Sequence, residues 1–475
     1  MRLVYWCWCL ALASVTLGSL AEELEAKVNV VDLRLKAEHL FHIASLSNNT
    51  RAIGSIGHEG TLHYITRLLR EHQGFYDISS QTFNVTFNSI RDYQVSVDGQ
   101  AVNASAFYYS PATGNVTARA VAVELGCEEN DYIDIDIKGC LAVAQRGGCT
   151  FERKAQLAKS FDAAGLVIYN SVPGEGLKGT LTRGNDEVGG LVPTFGMSLE
   201  DGLKLVNSVS EVSFFMDSAF EKIETRNIIA ETKTGDHDNI VLLGSHLDSV
   251  EAGPGINDNG SGSITLLHLA QTLAENNIQT ENSIRLIWFS AEEVGLIGSS
   301  FYADSLTEKE NLKIRLMLDY DMLALPNYAF EIYEGDDLVD PVGSQQIKNK
   351  YSEWYALHGL NYTFIPMDGR LDYVGFAQQS IPVGGIATGA EKLKLLEEME
   401  MFGGVANESF DQCYHQTCDN LQNLNYNAWE TNSKLIFNTL GSYAESLNGF
   451  PARHLVATKS LADLRYMYRG DELFI

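Results

Sequence analysis

"NIVLLGSHLDSVEAGPGINDNGSGSITLLHLAQTLAENN", residues 239–277, decides the fold. Its opening apolar run, "NIVLLG", reads as a buried strand, and "SITLLHLAQTLAENN" carries apolar residues at helical spacing. Between them His246, Asp248 and Asp258 surround Gly253-Pro254-Gly255, a hinge of turn-forming residues. The alternation continues with "SIRLIWFSAEE" as strand, "GLIGSSFYADSL" as helix and "LKIRLMLDYDM" as strand. It predicts an α/β fold in which a largely parallel sheet is covered by helices on both faces.

Sheets of this kind collect ligands at the carboxyl ends of their strands, which is where His246 and Asp248 stand. Three further clusters fall at comparable places: "FSAEEVG" with Glu292 and Glu293, "LDYDM" with Asp319 and Asp321, and "CYHQTCDN" with His415. Each alone has an ordinary explanation. Asp319 and Asp321 could cap a turn, the two glutamates could complement a helix dipole, and His415 could be a satisfied core or surface histidine. The coincidence of four such clusters favours metal binding. Imidazole mixed with carboxylate suits zinc, and carboxylates shared between ions suit a two-metal site.

Upstream, "LRLKAEHLFHIASL" and "EGTLHYITRLLREHQG" have helical spacing, followed by strand-like "YDISSQTFNVTF". Residues 96–218 change texture to short strands and turns and read as an inserted β-rich module. Residues 2–21, one arginine and then a mostly apolar stretch ending in Ser19 and Ala21, have the build of a signal peptide cleaved before Glu22. The expected organisation is therefore a leader over 1–21, two parts of one catalytic domain over 22–95 and 219–450, the insert over 96–218, and a tail over 451–475.

Asp and Glu number 62 against 34 Lys and Arg, a formal charge of -28, which argues against nucleic acid or an anionic membrane as partner. No run after the leader is apolar enough to span a bilayer, so stable membrane insertion is not expected. Two of the seven cysteines, Cys7 and Cys9, lie in the leader; the five that remain are an odd number for an oxidising compartment, so one free thiol is expected. Glycosylation sequons at Asn48, Asn84, Asn103, Asn115, Asn361 and Asn407 fit a secreted protein, with a vacuolar lumen as the alternative.

"GSHLDSVEAGPGINDNGSG", "WFSAEEVGLIGSSFY", "LDYDM", "GRLDYVGFAQQSIPVGGIATGAE" and "FDQCYHQTCDN" resemble, in order, the motifs of secreted co-catalytic zinc aminopeptidases of the leucine aminopeptidase type. "GCLAVAQRGGCTFERKAQLAKSFDAAGLVIYN" resembles the protease-associated domain often inserted in such enzymes. The resemblance implies a three-layer sandwich with a mixed sheet between helices, two zinc ions, and peptide substrates with a free N-terminus and an apolar first residue. It assigns His246 and Asp321 to one zinc, Glu293 and His415 to the other, and Asp258 as the bridge. It makes Asp248 the orienter of His246, Glu292 the general base and Tyr414 a stabiliser of the oxyanion. It also implies a Cys413–Cys418 disulfide bracing the loop that presents Tyr414 and His415. In the protease-associated region the favoured pair is Cys127 with Cys149, leaving Cys140 free.

Two departures from the family pattern bear on specificity. This chain has "GRLDY" at 369–373 where the family commonly has "GRSDH", and "GGIATGA" at 384–390 where it has "GGLFTGA". Ala387 thus replaces an aromatic of the first-residue pocket. Two rival functions remain open at this level. A binding protein that has lost its metals would lack a ligand, and none is lacking. A carboxypeptidase would need a cation for the terminal carboxylate, for which Arg370 is the obvious basic residue.

Overall fold

The computed structural model describes residues 18–171, 176–182 and 190–454. Three helices come first: α1 (Leu20–Glu25), α2 (Val30–Ser45) and α3 (Ile56–Arg70). Strands β1 (Tyr76–Val97), β2 (Gln100–Ala101), β3 (Ser105–Ala106), β4 (Thr113–Ala122) and β5 (Leu141–Gln145) precede α4 (Phe151–Ser160). After β6 (Gly165–Tyr169), β7 (Thr194–Met197) and α5 (Leu199–Val206), the chain enters the long β8 (Glu211–Thr232). It continues through β9 (Asp236–His246), α6 (Gly260–Glu275), β10 (Asn282–Phe289), α7 (Ile297–Asp304), α8 (Glu308–Lys313) and β11 (Ile314–Tyr320). The last elements are β12 (Glu331–Tyr333), α9 (Ser344–Leu357), β13 (Thr363–Ile365), α10 (Tyr373–Gln378), β14 (Val383–Ala387), α11 (Leu396–Phe402) and α12 (Tyr426–Glu445).

The central sheet runs β13-β12-β14-β11-β9-β10-β8. β14, β11, β9 and β10 are mutually parallel, whereas β8 beside β10 and β12 beside β14 are antiparallel, so the sheet is mixed. Alternate residues feed two cores, as the two-residue period of a strand requires. Leu243, Leu286 and Leu318 pack with α2, α3, α6 and α12, while Leu242, Ile287 and Met317 pack with α7 and α10. This is the three-layer sandwich. Leu243 sits at its centre, fully buried and in register with Leu286 on one side and Leu318 on the other.

Two 22-residue strands, β1 and β8, pair antiparallel along nearly their whole length and join the two parts of the molecule. The Ile228–Glu231 end of β8 pairs with β10 in the central sheet; its Glu211–Met216 end pairs with β4. Beyond β4 lie the parallel strands β5, β6 and β7 with a core of their own. The insert contains two helices, α4 and α5, which the sequence reading took for turns between short strands. Their apolar stripes are brief: Phe151, Ala155, Leu157 and Ala158 are the buried apolar residues that seat α4.

Both disulfides close within local segments, Cys127–Cys149 in the insert and Cys413–Cys418 around Tyr414 and His415, and Cys140 is free and buried. All six sequon asparagines are exposed. A seventh match, Asn259-Gly260-Ser261, has its asparagine fully buried and donating to Ser245 Oγ and the Tyr320 carbonyl, both at 2.9 Å.

At the ends, residues 1–17 of the expected leader and 455–475 of the tail lie outside the described residues. The expected cleavage point before Glu22 falls inside α1, which Ser19 and Glu22 cap reciprocally. Ala21 packs closely on α12 at Gly441, where a side chain's Cβ would stand 2.6 Å from the Ala21 Cα. Among the described residues no helix is long and apolar enough to cross a membrane.

Because Leu243 is enclosed by layers on every side, Leu243→Ala leaves a cavity that neighbouring strands cannot collapse into. A loss of about 2–5 kcal/mol is expected, read as a lowered thermal unfolding midpoint.

Candidate metal centre and active-site cleft

Parallel strands β9, β10 and β11 end along one edge of the sheet and bring distant clusters together. His246 closes β9 in register with Phe289, the last residue of β10, so "SAEE" leaves the sheet beside "HLD". Asp321 follows the last residue of β11. Asp258 lies just before α6, whose first turn is capped by the Asn259 side chain on the Gly262 amide. Ala291, Met322 and His415, each at or beside a candidate residue, have left-handed backbone at φ 64°, 50° and 54°. Non-glycine residues adopt this conformation only where surrounding structure holds them there.

Asp258 is the centre of the cluster. Its Oδ1 is 3.4 Å from His246 Nε2, which is also 3.4 Å from Asp321 Oδ2. Its Oδ2 is 3.0 Å from His415 Nε2, which in turn is 3.2 Å from Glu293 Oε2. The two oxygens of one carboxylate thus face two separate histidine–carboxylate pairs. Glu292 Oε2 stands 3.8 Å from His246 Nε2. Tyr414 lines the cleft with its ring stacked on His415, centroids 3.9 Å apart.

Asp248 lies between His246 and the turn that carries Glu292 and Glu293. Its Oδ1 is 3.9 Å from His246 Nδ1, too far for a hydrogen bond. Its close partners are the backbone amides of Glu292 and Glu293, which donate to it at 3.2 and 3.3 Å. The buried Asp248 carboxylate therefore fixes the turn that carries both glutamates.

The electrostatics of the cluster call for positive charge. His246, Asp248, Asp258, Glu292 and Asp321 are all buried. Burial pushes the Glu292 and Glu293 carboxyls well above their ordinary range; Asp372 and Asp321 add to it at Glu292, Asp258 adds to it at Glu293, and His246 opposes it at both. Moreover His246 Nε2, Glu293 Oε1 and Asp321 Oδ1 are buried without any hydrogen-bond partner. Buried polar atoms left without partners are costly, and metal ions satisfy them. The donor set of two imidazole nitrogens and three carboxylates fits zinc, and Asp258 faces both halves.

Sequence reasoning missed two residues that position this centre. Arg51, fully buried between α2 and α3, donates from Nε to the Pro254 carbonyl at 2.8 Å and from its two terminal nitrogens to the carbonyls of Leu247 and Gly255. It clamps the Gly-Pro-Gly hinge, yet nothing in its local sequence marks it. Asp419 accepts the backbone amides of Asn257 and Asp258, both at 3.0 Å, and so ties the His415 loop to the bridging position. Its place four residues after His415 was visible, its partners were not. Asp319 lies off the metal cluster and accepts the Tyr373 amide at 2.8 Å.

The cleft is walled from two sides. Asn88, Tyr108 and Lys178 face it from the insert side, and Glu251, Ala387 and Phe410 from the catalytic side. Arg370 is held by Glu391 through two bonds of 2.7 and 2.9 Å, so its charge is already matched.

Arg51→Met keeps the stem of the side chain and removes every donor. It is expected to destabilise the fold by about 1–3 kcal/mol for each carbonyl left unpaired. Metal content measured by atomic absorption should fall with it, because the hinge links His246 to Asp258.

With this geometry established, comparison with known proteins is informative. Residues 227–440 match the model of peptidase family M28 and residues 112–205 that of the PA domain. Aminopeptidase Y of Saccharomyces cerevisiae is 42% identical, over 96% of this chain and 87% of the yeast protein. Among solved structures, an aminopeptidase from Aneurinibacillus sp. strain AM-1 superposes with TM-score 0.75 at 24% identity, covering 92% of this chain and 98% of its own, which speaks to the fold. The structure of a zinc aminopeptidase from Bacillus subtilis gives TM-score 0.62 at 25% identity over 88% of this chain and 97% of its own. The chain is therefore a member of peptidase family M28 that carries a PA domain.

Proposed function

We propose that this metallo-aminopeptidase is an exported enzyme that removes the first residue of peptides with a free N-terminus, using two zinc ions held on either side of Asp258. The observation that carries the reading is the division of that carboxylate, one oxygen toward His246 and Asp321 and the other toward His415 and Glu293. When bound, two such ions supply Lewis acidity for the scissile carbonyl and lower the pKa of water.

The remaining work falls to the protein. Glu292, close to His246 but outside the two ligand pairs, accepts the proton of the attacking water at a carboxylate oxygen and delivers it to the leaving amine. Asp248 holds Glu292 and Glu293 in place through their amides. Tyr414 keeps a protonated hydroxyl, because burial pushes it well above its ordinary value, and that hydroxyl donates to the developing oxyanion. The substrate's ammonium group meets a strongly acidic cleft end, and this supports removal of the first residue over internal cleavage. Met322, Ile365 and Phe410 line the same cleft beside the small Ala387 and give the first side chain an apolar wall with room for a long stem. Since Arg370 is neutralised by Glu391, the cleft offers little to a terminal carboxylate at that position.

Adjacent glutamates then differ in kind. Glu293→Ala is expected to lower zinc content, whereas Glu292→Gln should keep both ions and lose about a hundred- to ten-thousandfold in turnover of a leucyl amide. Zinc stoichiometry and kcat on the two variants, with an acetylated leucyl amide as the blocked control, check both the roles and the need for a free amine. Near-normal turnover in Glu292→Gln sinks the assignment of the base.

Export, to the medium or to a vacuolar lumen, is supported by the apolar leader, two disulfides and six exposed sequons. Enzymatic deglycosylation of protein from a eukaryotic secretory host should reduce its mass, and mass mapping should find Asn259 unmodified.

A further inference from the structure

The segment that leads into α11 carries an inverted pattern of burial. Residues 392–395 run antiparallel to 408–410: the Lys394 amide donates to the Glu408 carbonyl and the Asn407 amide to the Lys394 carbonyl, both at 2.9 Å, and Leu393 bridges to Ser409. In extended chain successive side chains point to opposite sides. Here the charged residue takes the inner one. Lys394 is 1% exposed, and its Nζ donates to the Tyr328 carbonyl at 2.7 Å beneath the rings of Tyr328, Phe402 and Phe410. Leu393 and Leu395 are thereby turned outward, against the usual placement of leucine.

Leu396 and Met401 of α11 and Val405 after it extend the exposed apolar run. All five residues are between 38 and 57% exposed. Among the described residues no other stretch of thirteen, the length of 393–405, exposes as many large apolar side chains. On a stable monomer a concentration of apolar surface of this kind calls for a cover.

Both flanks of the patch carry a sequon. Asn361, of Asn361-Tyr362-Thr363, is exposed and donates from Nδ2 to the Met401 carbonyl at 2.9 Å. Asn407, of Asn407-Glu408-Ser409, is exposed two residues beyond Val405 and opposite Lys394. Glycosylation joins Nδ2 to the anomeric carbon of a lipid-linked oligosaccharide; Nδ2 loses one hydrogen as a proton and the lipid diphosphate departs. The N–H that remains is enough for the bond to Met401. Sugar chains rooted on both flanks keep a second protein away by their bulk, while the hydrogen-bearing faces of their rings are apolar enough to lie on leucine.

We propose that the N-linked glycans of Asn361 and Asn407 cover this apolar patch and keep the enzyme from associating through it. The inference goes beyond the hydrolytic reading and rests on its export part, which brings the chain to the glycosylating compartment.

The test uses enzyme from a eukaryotic secretory host and removes each sequon through its third residue, Thr363→Ala and Ser409→Ala, which leaves both asparagines in place. The double variant is expected to raise the fluorescence of an anilinonaphthalene sulfonate dye by about twofold or more and to self-associate with rising concentration in light scattering. Its turnover of a leucyl amide should match that of the wild type. Thr117→Ala, which removes the sequon of Asn115 in the insert, should change neither dye binding nor mass beyond the lost glycan. Enzymatic trimming of the folded wild-type enzyme asks the same question without a substitution and should give the same rise in dye binding. Mass mapping reads the occupancy of each site. Asn361 and Asn407 unmodified beside other modified sequons overturns the proposal and leaves export standing, whereas no modified sequon at all overturns both. A double variant or trimmed enzyme that stays monomeric with unchanged dye binding overturns it as well. A wild-type dimer that Leu395→Ser dissociates overturns it in favour of a second copy as the cover.

Discussion

The structure is organised around one electrostatic constraint: several carboxylates are buried within a few ångströms of Asp258, and only two histidines stand among them. Removed from water, such groups repel one another: burial pushes Glu292 and Glu293 well above their ordinary range, whereas at Asp258 the two histidines overcome burial and hold the carboxyl below it. Much of the surrounding architecture serves to keep them there. Arg51 grips three carbonyls of the hinge, Asp248 accepts the amides of both glutamates, and Asp419 accepts the amide of Asp258 itself. Buried carboxylates with partnerless oxygens are a liability for folding and an asset for binding cations.

The long pair β1 and β8 has a second consequence. One end of β8 is a strand of the central sheet and the other belongs to the sheet of the insert, so the two parts are joined by continuous hydrogen-bonded ribbon. That connection places Tyr108 and Lys178 over the cleft and lets Tyr109 donate its hydroxyl to the Val294 carbonyl at 3.2 Å, close to the two glutamates. The insert therefore forms one wall of the entrance.

β14 shows how one strand serves two ends. Its "GGIA" run packs Ile386 into the core under α9 while Ala387 faces the cleft on the opposite side. Because the side-chain period of a strand is two, the residue that fills the core and the residue that shapes the pocket are neighbours in sequence and independent in function.

The alternation of strand and helix from residue 239 onward was legible in the sequence by itself, because periodicity is local and a strand buried on both faces must be continuously apolar. Three of the four clusters stand at strand ends and were legible there, since open α/β sheets offer one edge for chemistry; His415 was expected at a comparable place but lies on a disulfide-closed loop between α11 and α12. What sequence could not convey is the pairing of elements distant along the chain. Arg51 lies roughly two hundred residues before the carbonyls it holds, with a separation of 203 to Pro254, and Glu331 meets Ala387 only because β12 and β14 are adjacent and antiparallel. The two insert helices escaped notice for a related reason: α4 and α5 are short, and their seats are supplied by strands rather than by a long stripe of their own. Local spacing thus determined which residues were available for chemistry, whereas strand order and register, set by packing across the whole sheet, decided which of them meet.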